Sequence, residues 1–143
     1  TVIKGSLRKF AGQFIGRNIG LSFTETGETV VTDEKWLAFV LEQLLSNALK
    51  YTPQGTVSVY MEAPKTLCIR DTGIGIAACD LPRIFEKGYT GRNGRTDKTA
   101  SGLGLYLCRR VCENLGHGIF ATSVPGEGTC FRLDLSQYRT RFE

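Results

Sequence analysis

The chain has 143 residues, of which 41% are hydrophobic and 22% charged, and it carries a formal net charge of +4. Those values fit a single domain with one core and exclude a disordered or low-complexity polymer. The apolar runs are too short for a transmembrane helix, and no signal-peptide pattern opens the sequence.

In chain order, Ile3, Leu7, Phe10 and Phe14 recur at helical spacing and predict a helix over residues 1–17. The alternating segment 18–23 predicts a strand, and Gly27-Glu28 turns into a second short strand, Thr29–Thr32. Asp33 is placed to N-cap a helix whose apolar face is Leu37, Val40, Leu41, Leu44, Leu45 and Ala48. Thr52-Pro53-Gln54-Gly55 stops it. Gln43, Asn47, Lys50 and Tyr51 form a polar stripe beside that face, while Glu42 and Ser46 point to solvent. Asparagine is a poor helix former, so Asn47 either faces a ligand or bonds a neighbouring loop.

Thr56–Glu62 and Thr66–Asp71 alternate and join through Ala63-Pro64-Lys65 as a hairpin. This leaves Asp71 at a strand end, where ligand-contacting groups gather. Residues 80–85 predict a short helix bearing Phe85 as an apolar plug. Gly104 begins a helix through Leu115 with Leu107, Cys108, Val111, Cys112 and Leu115 on its apolar face and Gly116 as C-cap. Strands Ile119–Val124 and Thr129–Leu135 close the fold, and residues 137–143 read as a frayed tail. Hairpins and one-sided helices together predict a two-layer α/β (α+β) sandwich, a mixed, mostly antiparallel sheet with helices on one face.

The five cysteines are irregularly spaced, three of them in apolar strand or helix positions. With one histidine and no Cys-x-x-Cys, a zinc site is disfavoured and reduced thiols of a cytoplasmic protein are expected. His117, between Gly116 and Gly118, reads as a turn residue.

The stretch Asp71–Tyr106 concentrates the chemistry. Asp71-Thr72-Gly73-Ile74-Gly75 opens it and Gly102-Leu103-Gly104-Leu105 closes it. Paired glycines bring backbone close to a ligand, and the segment between them is basic: residues 87–98 set Lys87, Arg92, Arg95 and Lys98 against Asp97 alone. That pattern fits a flap over a phosphate-bearing ligand, a nucleic-acid patch or a solvated loop. Taken singly, each glycine pair is more often an ordinary turn, Asp71 a loop acceptor and Phe85 core.

The joint order changes that weighing. An Asn-bearing helix is followed by Asp-x-Gly-x-Gly, a Phe-bearing loop, Gly-x-Gly-Leu and Gly-x-Gly-Thr. Over about residues 30–136 this resembles the ATP-binding catalytic domain of sensor histidine kinases, in the superfamily shared with gyrase B-type and mismatch-repair ATPases. The wording from Trp36 to Thr52 is most similar to the intramembrane-sensing, antibiotic-responsive kinases of Gram-positive bacteria.

The resemblance implies the Bergerat fold, ATP and Mg²⁺ as cofactors, and a lid over about residues 77–101. It makes Asn47 the Mg²⁺ ligand and places Lys50 and Tyr51 near phosphates and ribose. Asp71 would accept from the adenine amino group, Gly73 and Gly75 would let the loop approach the base, and Phe85 would anchor the lid. Gly102 and Gly104 would set backbone N–H groups and a helix N-terminus at the phosphates. Ile76, Tyr89, Leu103, Leu105 and Thr129 would join the nucleotide site, with Arg92, Arg95 and Lys98 as lid cations.

Gln43 stands where the ATPase relatives carry a water-activating glutamate. An amide is a poor base, so slow hydrolysis and phosphate transfer are expected. With no phosphoacceptor histidine in view, the chain is expected to be a monomeric catalytic domain unable to autophosphorylate alone. The resemblance makes its partners a dimerisation/phosphoacceptor domain and a response regulator, in the cytoplasmic part of a bacterial cell-membrane protein. No nucleic acid and no membrane contact by this segment are expected. The competing readings are an anti-sigma-type protein-serine kinase and a catalytically silent nucleotide-sensing module.

Overall fold

A computed structural model describes residues 2–24, 30–62, 64–89 and 103–139. The elements are α1 (Val2–Gly16), β1 (Gly20–Thr24), α2 (Glu34–Tyr51), β2 (Thr56–Glu62), β3 (Thr66–Asp71), a 3-10 turn at Leu81–Arg83, α3 (Gly104–Leu115), β4 (Gly118–Val124) and β5 (Gly128–Asp134). The five strands form one sheet in the order β1-β2-β3-β5-β4. Strand β1 runs parallel to β2, while the other neighbours are antiparallel. Parallel neighbours need a long crossover, and α2 supplies it.

Alternation along the strands sends Val57, Val59, Leu67, Ile69, Phe131 and Leu133 to one face, where they are buried. Helix α2 lays Leu37, Val40, Leu41, Leu44, Leu45, Ala48 and Leu49 against the same core. Each such leucine contributes roughly 1.5–3 kcal/mol by leaving water. Asp33 caps the helix as expected, accepting from the Trp36 N–H at 3.1 Å.

On the other sheet face Cys68 and Cys130 are buried beneath long polar side chains. Arg70 Nε donates to Tyr60 OH at 3.1 Å, and Arg132 donates to Glu62 at 3.4 Å and to Thr122 at 3.0 Å. The arginine stems roof the thiols while their charged heads stay wet. Four of the five cysteines are buried, one more than the pattern indicated. Burial pushes the Cys68 thiol up to about 11 and those of Cys108 and Cys112 up to about 12, so they stay protonated.

Several sequence expectations need correction. Residues 30–32 are in no strand, and Thr29 lies outside the described residues. Thr32 instead spends its hydroxyl on His117 Nε2, 2.8 Å away, and Asp33 follows at once as the helix cap. Glu42 does not face solvent freely: it is half-buried and pairs with Lys9 on α1 at 2.6 Å. The predicted helix over 80–85 is one 3-10 turn with Pro82 near its start. Residues 137–139 are not frayed. The Arg139 N–H donates to the Leu115 carbonyl at 2.9 Å, and the Tyr138 ring lies 5.9 Å from that of His117.

His117 is thus buried, 7% exposed, where the lead into α2, the α3–β4 turn and the C-terminal segment meet. Burial holds its pKa below the ordinary value, against the Gln137 backbone and the Asp134 carboxylate. The unfolded chain therefore binds this proton at a pH where the folded domain does not. Stability is full above the unfolded value and is lost as pH falls through about 6.5 toward the lower folded pKa. Thermal melts from about pH 7.5 to 5.5 should show this loss, and a His117→Gln variant should show a flatter slope. Equal slopes in the two proteins would remove His117 as its source.

Candidate functional site

The end of the sheet where β3 stops and β5 starts collects the polar groups. Asp71, the last residue of β3, sits opposite Val57 on β2 and Thr129 on β5. Its carboxylate is buried, 8% exposed, with no cation among the hydrogen-bonding partners described for it. Instead, Oδ1 accepts from the Gly73 N–H at 2.9 Å and the Thr129 N–H at 3.2 Å. Burial raises the Asp71 pKa above the usual carboxylate value, and the two N–H donors partly oppose that rise. Both donors converge on one oxygen. Among the described residues nothing bonds Oδ2, which remains an acceptor for a ligand.

The loop after Asp71 is tied at three points. The Ile74 N–H donates to the Tyr51 carbonyl at the end of α2 at 3.0 Å. The Gly126 N–H donates to the Ile74 carbonyl at 2.8 Å, and the Ile76 N–H to Ser123 Oγ on β4 at 2.7 Å. The glycines make this possible by approach to protein backbone. A side chain at Gly73 would collide with the Tyr51 carbonyl and lie 2.8 Å from Thr52 Oγ1. One at Gly75, where φ is +75°, would collide with the Val124 carbonyl and come within 2.9 Å of Pro125. A groove of about 290 Å³ lined by Pro53, Gln54, Thr72, Gly73, Ile74 and Gly126 runs beside this loop.

The other expected residues that are described lie on α2, at the start of α3 and in the segment after β3. Asn47 and Tyr51 are half-buried on α2, and Lys50 is exposed with Nζ 5.5 Å from the Tyr51 ring centre. Gly104 starts α3 against Gln43, whose Oε1 lies 2.8 Å from where a Cβ would be. Leu103 precedes it, 38% exposed, and its own side chain makes no capping hydrogen bond to the helix. A helix N-terminus carries partial positive charge and favours an anion. Leu105 follows on the first turn of α3, partly buried against the core.

Phe85 packs edge-on to Phe131 with ring centres 6.3 Å apart and lies under the Arg109 guanidinium at 5.3 Å. It roots the segment after β3 in the core. Tyr89 hydrogen-bonds Asp80 and stacks under Arg83 at 4.6 Å, so the described part of that segment is held by its own side chains. Arg92, Arg95, Lys98 and Gly102 lie outside the described residues.

Ser123 is the participant that pattern reading missed. It bonds the Gly128 carbonyl at 2.8 Å and Thr129 Oγ1 at 2.9 Å as well as Ile76. The available signal was a hydroxyl in the inward register of β4, after Ile119 and Ala121, where the strand otherwise faces the core. Thr52 was also missed: it is fully buried, and Oγ1 finds no partner among the described residues.

Comparison with known proteins gives a consistent picture. A family model described as histidine kinase-, DNA gyrase B- and HSP90-like ATPase matches residues 32–139. The sensor protein BceS of Halalkalibacterium halodurans is 41% identical over 138 residues, covering 93% of this chain and 41% of that protein. The sensor protein kinase GraS of Staphylococcus aureus is 38% identical over 130 residues, covering 89% and 37%. The chain therefore spans about two fifths of the length of these relatives. Among solved structures, the mycobacterial sensor histidine kinase MprB is 26% identical with a TM-score of 0.78, covering 94% of this chain and 92% of that one. Full-length ShkA in complex with AMPPNP is 26% identical with a TM-score of 0.77, covering 99% of this chain and 31% of that one.

The three-point loop can be tested with a matched pair. Gly126 also has positive φ, +82°, but open space where its Cβ would be. Gly126→Ala should cost about 1–2 kcal/mol, the left-handed penalty alone. Gly75→Ala should cost at least about 1 kcal/mol more in urea melts, because backbone stands in the way. Equal costs would mean that the close approach carries no energy.

Proposed function

The chain belongs to the family of histidine kinase-, DNA gyrase B- and HSP90-like ATPases, and on that premise we propose that it is the catalytic domain of a two-component sensor histidine kinase. It binds Mg-ATP and donates the γ-phosphate to a histidine of a dimerisation domain, for relay to an aspartate of a response regulator. The observation that carries this reading is the buried Asp71 carboxylate, held by two backbone N–H groups on Oδ1 with Oδ2 left to accept. An acceptor-only group in an uncharged setting favours an amine over a carbonyl, hence adenine over guanine.

The other residues divide the work by their chemistry. The N-terminus of α3 receives phosphate oxygens, and Lys50, exposed on α2, supplies positive charge. Among the described residues no three His, Cys, Asp or Glu side chains cluster to cage a cation. The donor set still fits Mg²⁺, which takes one or two protein oxygens and completes its shell with phosphate and water. Asn47 would hold it through the carboxamide oxygen, and the ion would neutralise charge on the transferring phosphoryl group. Gln43 leaves the site without a carboxylate base at that place, in keeping with transfer rather than hydrolysis.

The acceptor histidine comes from elsewhere than residue 117. His117 is the only histidine in the chain, is buried, and lies beyond the opposite end of β5 from Thr129. Five strand steps separate the two ends, about 17 Å. We further propose that the whole chain is one ATP-binding domain with its core over about residues 30–136 and a lid over about 77–101, including Arg92, Arg95 and Lys98. In the parent kinase it would lie on the cytoplasmic side of the cell membrane. No helix of the described residues is long and apolar enough to cross a membrane.

Two measurements test this reading. Mg²⁺ should tighten ATP binding to the wild-type chain by about tenfold or more, and Asn47→Ala should abolish that gain without lowering thermal stability. An identical Mg²⁺ effect in both proteins would remove Asn47 from the site. Adenosine, which has no titrating phosphate, should bind more weakly as pH falls through the raised Asp71 pKa, because the protonated acid no longer offers the same acceptor. Asp71→Asn should flatten that profile, and an unchanged profile would assign the titration to another group.

A further inference from the structure

Ser123 sits on β4 beside the first residues of β5, and its Oγ meets three polar atoms at once. The Ile76 N–H donates to it at 2.7 Å, the Gly128 carbonyl oxygen lies at 2.8 Å, and Thr129 Oγ1 lies at 2.9 Å. A hydroxyl has one hydrogen and two lone pairs. The carbonyl oxygen of Gly128 has no hydrogen, so that contact is attractive only when Ser123 donates into it. The Ile76 N–H takes one of the two lone pairs. Only the hydroxyl hydrogen of Thr129 can satisfy the other.

Thr129 therefore spends its single side-chain hydrogen on Ser123, and its N–H is already given to Asp71 Oδ1. What remains on the Thr129 hydroxyl is lone pairs. The ionised Asp71 carboxylate likewise offers lone pairs only. Both residues are nearly buried, Thr129 6% and Asp71 8% exposed, so water does little to soften a mismatch.

We propose that Ser123 is a positioning residue that fixes Thr129 as a hydrogen-bond acceptor. The base end of the site then presents two acceptors and selects a ring amine with two N–H hydrogens over a ring carbonyl. This deepens the ATP reading above and rests on it. Selectivity against a carbonyl comes from Thr129 as well as Asp71, and Thr129 has that polarity because of a residue outside the recognised motifs. Without the Ser123 hydroxyl, Thr129 is free to rotate and donate, and a carbonyl becomes acceptable at its side of the site.

The test is calorimetric titration of the whole chain with ATP and with inosine triphosphate, in which a carbonyl replaces the amine. Wild type, Ser123→Ala and Ser123→Thr are compared, each with a thermal melt. Ser123→Ala should lower the ATP-over-inosine triphosphate ratio by about tenfold, mainly by tolerating the inosine nucleotide. Ser123→Thr, which keeps the hydroxyl, should restore the wild-type ratio. A purely structural role predicts a proportional loss for both nucleotides with the ratio unchanged, and that result would overturn the proposal. Should Ser123→Ala not fold, Thr129→Val removes the acceptor with little change of shape. The ratio must then fall, and an unchanged or larger ratio overturns the proposal. Wild type that binds neither nucleotide would fail the ATP reading itself and take the proposal with it, a result distinct from an unchanged ratio.

Discussion

A carboxylate is buried at the end of β3 and held by backbone, and the functional end of the domain is arranged around it. An ionised Asp71 in a site 8% exposed is costly unless hydrogen bonds replace water. The replacements come from Gly73, two residues on, and Thr129 across the β3–β5 ladder. The first fixes how the loop leaves the strand. The second requires β5 to start in register with the end of β3. One oxygen is consumed by these tasks and the other is left over. A group that stabilised both oxygens, such as an arginine, would have made a structural ion pair and left neither oxygen over.

The loop that follows is fixed by backbone geometry. It is pinned to α2 through the Tyr51 carbonyl, to the β4–β5 turn through Gly126 and to β4 through Ser123. The glycines are needed because the protein's own backbone passes too close for a Cβ. Helix α2 thus presents Asn47, Lys50 and Tyr51 at a fixed distance from Asp71 because its last carbonyl belongs to the loop's hydrogen-bond set. Gln43 against Gly104 extends the same constraint to α3. Rigid elements meeting at one loop preorganise this end of the domain.

Much of this was readable from the residues, for identifiable reasons. The α2 face from Leu37 to Ala48 follows a period of 3.6, and the strands of the two hairpins follow a period of 2, so the core and the sandwich emerged from patterning. Asp71, Gly73 and Gly75 were legible because their spacing is local. What was not legible depends on contacts distant in sequence. His117 looks like a turn residue between two glycines, yet Thr32 and Tyr138, from opposite parts of the chain, bury it. Residues 30–32, rich in β-branched side chains, read as a strand, but Thr32 bonds His117 and Asp33 caps α2, so they form the lead into a helix. Ser123 sits in an ordinary alternating strand, and its three partners are known only once β4, β5 and the Asp71 loop are assembled.

The most direct measurement of the central claim is calorimetric titration with ATP and GTP, in saturating Mg²⁺, of the wild-type chain and of Asp71→Asn. The account predicts micromolar to sub-millimolar ATP binding by wild type, about −8 to −5 kcal/mol, with GTP at least about tenfold weaker. It predicts that Asp71→Asn erases most of that preference. Equal affinity of the wild-type chain for the two nucleotides, or a preference that survives in Asp71→Asn, would contradict the claim that this buried carboxylate reads the base.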